Sequence, residues 1–400
     1  MARIAFFECS RCGEHVAPSP AATLCPRCAG PLLVRYGAEG TRADRARLSG
    51  GPANLWRYAA ALPDVEPLTL GEGFTPLLAS REFPDVWIKD ESLNPTASFQ
   101  ARGMAVALAM ARQAGIRKVA AATAGNAGSA LAAYAAAAGV EAHVFLPRDA
   151  SAANLAECRA YGARVTLVDG FLSDCARRVR EGQPAEQWCD LSTMQEPFCV
   201  EGNKTMGYEI VEQMDWALPE AIIFPTGSGA GVIGLWKSFA EMEQMGWLEP
   251  AVRRPRIFAV QAAGCAPLVK AWEAGMSECE PWPQPRTAAA GLRVPQPGAS
   301  RLVLDILRAS GGGAVAVGDD EIFSAREHWA RVEAILAALE GAASLAAYCK
   351  LLADGVLTPP QRVVLCNTGS GLKDLDPRSP GGRRADAPSR RSLGGIIQPY

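Results

Sequence analysis

The sequence predicts an α/β fold in which parallel sheets are covered on both faces by helices, preceded by a small four-cysteine ribbon. Three observations carry this expectation. Short apolar runs of strand length alternate with amphipathic segments of helix length from residue 86 to residue 375. Several of those runs break into loops of glycine, serine and threonine before a helical pattern resumes, as strand-to-helix junctions do. Finally, two Cys-x-x-Cys knuckles stand close together at the front of the chain.

The knuckles are "CSRC" (Cys9, Cys12) and "CPRC" (Cys25, Cys28), with twelve residues between them. Paired knuckles bring four thiolates to the corners of a tetrahedron, the geometry zinc prefers, with iron as the alternative metal. Arg11 and Arg27 offset the charge of such a site. Four sulfur ligands leave no position for water, so the expected zinc is structural, and the ribbon is expected over residues 1–35 as a folding staple or docking knob.

Residues 36–70 read as a linker plus a helix around "NLWRYAAALP". Then come a strand at "KVAAA" (118–122), a helix at "NAGSALAAYAAAAG" (126–139) and a strand at "EAHVFLP" (141–147). A helix over 151–161 and a strand at "ARVTLV" (163–168) follow. Further β runs are "EAIIFP" (220–225), "RIFAVQ" (256–261) and "RVVLCN" (362–367), separated by helical patterns. Residues 376–400 hold Pro, Gly, Ser and five arginines with little to bury, and read as a flexible tail.

Composition excludes several functions. The 400 residues are 49% hydrophobic and 20% charged, with a formal charge of −2, so bulk electrostatics point neither to nucleic acid nor to an anionic membrane. The start, "MARIAFFECSRCG", lacks the apolar core of a secretory signal, and no run reaches the roughly 18 apolar residues of a membrane span. Eight of the twelve cysteines are scattered without a disulfide spacing, which predicts reduced thiols and a cytoplasmic location.

Chemistry concentrates at three junctions. In "IIFPTGSGAGVIGLWKSF" (222–239) an apolar strand runs through small residues into a helix. Glycines there let main-chain N–H groups approach an anion, making a phosphate cup of Thr226, Gly227, Ser228, Gly229, Ala230 and Gly231. A second junction, "ATAGNAGSAL" (122–131), carries Asn126 at its apex, where asparagine is equally a good helix cap. A third, "VVLCNTGSGLKD" (363–374), sets Thr368 and Ser370 past a strand end, where open α/β sheets collect ligands. Each alone is as well explained by a tight turn.

Together and in order, "GEGFTPL" (71–77), "KDESLNPTASFQARG" (89–103), "TAGNAG", "EGNKTMGYEI" (201–210), "PTGSGAGVIGLWKSF" and "NTGSGLKD" resemble threonine synthase, in the tryptophan-synthase-β-like class of pyridoxal-phosphate (PLP) enzymes. The resemblance covers roughly residues 1–375. It implies the two-domain PLP fold type II, with a small domain near 90–210, a large one from 36–89 and 211–375, and the cofactor between them. The 226–231 cup would hold its phosphate, Asn126 its 3′-hydroxyl and Thr368 its pyridine nitrogen, with Phe99 alongside. Thr123, Cys199 and Lys204 would face an amino-acid substrate, O-phosphohomoserine in the family reaction. A homodimer is the expected assembly.

The sequence departs from that family at telling places. Gln100 occupies the position of the lysine that forms the Schiff base with the cofactor. Glutamine matches lysine in length and hydrogen bonds, but it has no nucleophilic amine and no useful pKa. Cys199 stands where an arginine would meet the substrate phosphate, and Ala97 where glycine is usual. Of the seven lysines, Lys89 is the candidate substitute for the missing amine. The expectation is therefore a threonine-synthase-like lyase with altered or lost activity and PLP held without a covalent bond. The alternative is a non-catalytic paralogue that binds PLP, an amino-acid adduct or a partner subunit.

Overall fold

The structure, a computed structural model, describes residues 2–37, 45–249 and 252–375. The tail expected at 376–400 lies outside the described residues. Among them, no helix is long and apolar enough to cross a membrane.

The chain opens with a three-stranded antiparallel sheet of β1 (Ile4–Cys9), β2 (His15–Val16) and β3 (Leu32–Tyr36), in the order β2-β1-β3. Its turns bring Cys9, Cys12, Cys25 and Cys28 together, all four sulfurs lying within 4.8 Å of one another. Sulfur separations are 3.4 Å for Cys9–Cys28, 3.7 Å for Cys12–Cys25 and 3.4 Å for Cys12–Cys28. Tetrahedral zinc at its usual bond length asks for about 3.8 Å between sulfurs. The four thiols fit a metal ion of that size. The segment around "NLWRYAAALP" is a 3-10 helix (Leu55–Ala61) rather than an α-helix, capped by Asn54 and interrupted at Tyr58.

Two further sheets follow. β4 (Leu77–Ala79) and β5 (Val86–Asp90) enter a six-stranded sheet completed much later in the chain. The intervening segment builds its own parallel sheet, alternating α1 (Gln100–Gln113), β6 (Lys118–Ala122), α2 (Asn126–Ala138), β7 (Glu141–Pro147), α3 (Ala152–Ala160), β8 (Arg164–Val168), α4 (Leu172–Glu186) and β9 (Cys189–Asp190) in the strand order β8-β7-β6-β9. The long helix α5 (Phe198–Gln213) leads back to the larger sheet. There β10 (Ala221–Pro225), α6 (Ala230–Gln244), β11 (Arg256–Ala262), α7 (Pro267–Glu273), α8 (Ser300–Ser310), β12 (Gly313–Val317), α9 (Asp319–Val332), α10 (Leu339–Ala353) and β13 (Val363–Asn367) complete the order β12-β11-β10-β13-β5-β4. All its pairings are parallel except β4 with β5.

Both sheets are buried on two faces, and the strand period sorts their side chains. In β6, Val119 and Ala121 join the core under α1 and α2, while Ala120 and Ala122 pack with Cys175 and Val179 of α4. In β10, Ile222 and Phe224 face α5 and α6, and Ala221 and Ile223 face α10. Burying an isoleucine or phenylalanine in this way stabilises by about 1.5–3 kcal/mol each.

Helices α1 and α5 cross at glycines. A side chain on Gly202 would begin 1.9 Å from the carbonyl oxygen of Arg102, and one on Gly103 would begin 3.0 Å from that of Cys199. This close crossing sets the first turn of α1, and with it Gln100, against the mouths of both sheets.

Candidate active site

Three loops at the carboxyl ends of parallel strands converge on one cleft of about 350 Å³. They follow β6 (Thr123–Asn126), β10 (Thr226–Gly229) and β13 (Thr368–Ser370). Strands β10 and β13 are neighbours, and the chain leaves β10 for β11 on its other side. This is the topological switch point where open α/β sheets bind ligands. Asn126, Gly229 and Thr368 all line it, as do Phe99, Gln100, Thr123 and every residue of the 226–231 segment.

Backbone bonds tie the Gln100 segment to the β13 loop. Phe99 N–H donates to the Thr368 carbonyl (3.1 Å), and Ser370 N–H donates to the Ala97 carbonyl (3.0 Å). The preceding turn is strained, with Thr96 at φ +56° and Ala97 at φ +51°. A β-carbon in the left-handed region costs roughly 1 kcal/mol or more. Ala97→Gly should therefore raise stability by about 1 kcal/mol, seen as a higher urea midpoint at unchanged slope.

The cup after β10 exists only because glycines fill it. Side chains on Gly227, Gly229 and Gly231 would begin 2.5 Å from the Gly291 carbonyl oxygen, 2.4 Å from Val303 and 2.3 Å from the Phe224 ring. Gly229 caps α6 at φ +96°. The N–H groups of Gly227, Ser228 and Gly229 donate to no backbone carbonyl among the described residues, and the first N–H groups of α6 have no intrahelical acceptor. Thr226 is turned inward, its hydroxyl donating to the Phe224 carbonyl at 2.8 Å. Phe99 meets Phe224 edge-on at 5.6 Å.

Opposite the cup, Lys373 organises the floor. Its ammonium donates to the Thr96 carbonyl (2.6 Å), Glu157 (2.6 Å), and the side-chain oxygens of Asn126 and Asn154 (3.3 Å each). Because Asn126 accepts there, its amide donor is left beside Gly369. Asp374 also lines the cleft. Burial first, and Glu340 next, push its carboxyl up to about 7.

Three sequence-proposed site residues are not brought to the cleft. Lys89 is wholly buried behind it, donating to Glu209 (2.8 Å), the Thr75 carbonyl (2.8 Å) and Gln213 (2.9 Å). Burial, only partly offset by Glu209, holds its pKa below the usual lysine range. Cys199 is buried in the first turn of α5, where burial, with Glu196 next, pushes its thiol well up. Lys204 sits in a second closed cluster, bonded to Glu201 (2.6 Å) and Glu241 (2.7 Å). Conversely, Asn154, Arg180, Glu340, Lys373 and Asp374 line the cleft without having been singled out as site residues. Only Lys373 and Asp374 carried a signal, their place in the "GLKD" motif.

The motifs thus divide. "GEGFTPL", "KDES" and "EGNKTMGYE" meet in a buried network centred on Arg102, which binds Glu91 (2.6 and 2.8 Å) and Glu209 (2.5 and 2.6 Å) and also donates to the hydroxyls of Thr75 and Thr205. The others form the cleft.

A glycine-lined cup facing an oriented amide and a hydroxyl, at a switch point between parallel strands, is the arrangement by which α/β proteins hold phosphorylated ligands. Residues 68–369 match the family of pyridoxal-phosphate dependent enzymes. The chain belongs to that family, and within it to the threonine synthase relatives. It is 34% identical to threonine synthase of Methanosarcina acetivorans over 92% of each chain. It is 33% identical to that of Methanocaldococcus jannaschii, covering 92% of this chain and 93% of the relative. Against threonine synthase of Mycobacterium tuberculosis it is 34% identical, covering 81% and 89% respectively. Among solved structures, maize serine racemase shares the fold at TM-score 0.63 and 20% identity, covering 76% of this chain and 88% of that one. A threonine deaminase from T.th. does so at TM-score 0.62 and 25% identity, covering 76% and 94%.

Proposed function

We propose that this chain binds PLP in the cleft and acts on, or responds to, a phosphorylated amino acid such as O-phosphohomoserine, with the covalent step of its family weakened or lost. The observation that carries this reading is Gln100 itself, the first residue of α1, lining the cleft among the cup, Asn126 and Thr368. The N–H groups of the cup would hold the cofactor phosphate, and Asn126 and Thr368 would face its ring as neutral hydrogen-bonding partners. When bound, PLP supplies the electron sink that makes a proton next to the amino group acidic. Gln100 preserves the shape and solvation of the site, yet it neither attacks a carbonyl nor takes up and releases a proton near neutral pH. Zinc, held by Cys9, Cys12, Cys25 and Cys28, is structural in this reading.

The same observation favours one second reading, a non-catalytic paralogue that uses the cleft to sense PLP or an amino-acid adduct. A titration of the purified chain with PLP, followed by dialysis, borohydride treatment and an assay of phosphate release from O-phosphohomoserine, tests both. We expect saturable binding, cofactor lost on dialysis and no cofactor fixed to a lysine. Phosphate release would identify an enzyme and its absence a sensor. Borohydride fixation on any lysine would refute the reading that attachment is lost, and failure to bind PLP would refute both.

A further inference from the structure

The cleft holds four charged side chains, and three of them are already engaged. Lys373 is surrounded by oxygens as described, Glu340 accepts the Gly291 N–H (2.6 Å), and Asp374 accepts the Leu339 N–H (3.1 Å). Arg180, which projects from α4 into the cleft, forms no hydrogen bond or ion pair among the described residues. Asp190, the carboxylate that feels its field, is buried and bonded to the Ser192 N–H at 2.8 Å. An arginine left unpaired over a cleft is a ready receptor for a planar or tetrahedral anion.

Two hydroxyls lining the same cleft have their polarity fixed. Ser192 accepts the Ala122 N–H at 2.8 Å, and Thr123 accepts the Gly125 N–H at 3.0 Å. With an oxygen lone pair occupied by a backbone donor, Thr123 keeps its own proton to give, whereas the Ser192 hydroxyl is also hydrogen-bonded to the Asp190 carboxylate. The neighbouring helix end offers no competing site. Glu196 caps the start of α5, taking the N–H groups of Phe198 (2.5 Å) and Cys199 (3.0 Å), so the chain's own carboxylate fills that position.

We propose that Arg180, with the hydroxyl of Thr123, is a second anion receptor in the cleft, which seats the distal anionic group of an amino-acid ligand. The group is a phosphate or a carboxylate. This rests on the functional reading above, in which the glycine cup is taken by the cofactor.

The test uses the full chain saturated with PLP, titrated calorimetrically with O-phosphohomoserine, glutamate and uncharged homoserine, for wild type, Arg180→Gln and Arg180→Lys. Arg180 is exposed and unpaired, so its replacement leaves folding intact. Arg180→Gln should weaken binding of the anionic ligand about 10- to 100-fold, leave homoserine and PLP affinity unchanged, and be partly rescued by Arg180→Lys. Preference for O-phosphohomoserine over glutamate in wild type identifies phosphate as the group seated, and the reverse identifies carboxylate. Equal affinity of wild type and Arg180→Gln for the anionic ligands, or no preference of wild type for anionic over neutral ligand, overturns the assignment while normal PLP uptake keeps the cofactor reading intact. Failure of wild type to take up PLP overturns both.

Discussion

Gln100→Lys is expected to convert a dialysable cofactor into one that stays with the protein, and to raise phosphate release from O-phosphohomoserine by about 10²-fold or more. The geometry favours this. The substituted side chain starts from a helix turn whose backbone is pinned to Thr368, so the new amine enters the cleft from a fixed root. Position 100 is only half-buried and its amide makes no hydrogen bond among the described residues, so the exchange removes no structural contact. The measurements are absorbance after exhaustive dialysis, borohydride labelling at residue 100 and phosphate release. Labelling without release would show a restored hook facing a changed substrate, which fits a cleft lined by Arg180 rather than by a cation at position 199. Neither labelling nor release would remove Gln100 from the lysine position.

Arg102→Met is expected to be the most destabilising single change, by about 3–5 kcal/mol. Arg102 is wholly buried and is the partner of two wholly buried carboxylates, Glu91 and Glu209. Its removal leaves Glu91 with only neutral donors and Glu209 with Lys89. Set against a total stability of about 5–15 kcal/mol, that loss brings the chain near unfolding, visible as a lowered urea midpoint or recovery only in the insoluble fraction. Lys89→Met should cost less, because Glu209 keeps Arg102 and the Thr75 carbonyl keeps the Gln213 amide at 2.8 Å. The pH dependence follows from Glu209. Burial raises its pKa, but Arg102 and then Lys89 outweigh burial and bring it to about 2. A carboxyl depressed in the folded state contributes stability above its ordinary value near 4.5, and that contribution drains away as pH falls towards 2. Wild type should therefore lose stability steeply over that interval.

How much of this was legible beforehand depends on which physical signal each element carries. The strands ending at the cleft announced themselves because doubly covered strands are short apolar runs bounded by glycine. "KVAAA" and "EAHVFLP" coincide with β6 and β7, and "EAIIFP" and "RVVLCN" overrun β10 and β13 by a residue. The glycine cup was legible for the same local reason. The segment Leu55–Ala61 was expected as an ordinary helix and is a 3-10 turn, since its apolar residues serve tertiary contacts rather than a helical stripe. The direction of charged side chains was not legible at all. Lys89 lies on a strand buried on both faces, where alternation does not tell core from cleft. Lys204 lies on α5, buried along nearly its whole length, so no polar face marks its role. Arg180 is exposed on α4 like Arg177 and Arg178, and what distinguishes it is that it lines the cleft, to which residues from the other sheet also contribute.

The front sheet is bolted to the body through β3. Lys237 donates to the Val34 carbonyl at 2.6 Å, and the Tyr36 hydroxyl joins Glu201 while its ring lies 4.5 Å from the Lys204 ammonium. Shortening the chain from its amino end would consequently uncap two interior cations and flood a dry charged seam with solvent. The four-cysteine sheet is a cornerstone of the body behind it, and a trimmed version would be a different, weaker molecule rather than the same one with an ornament removed.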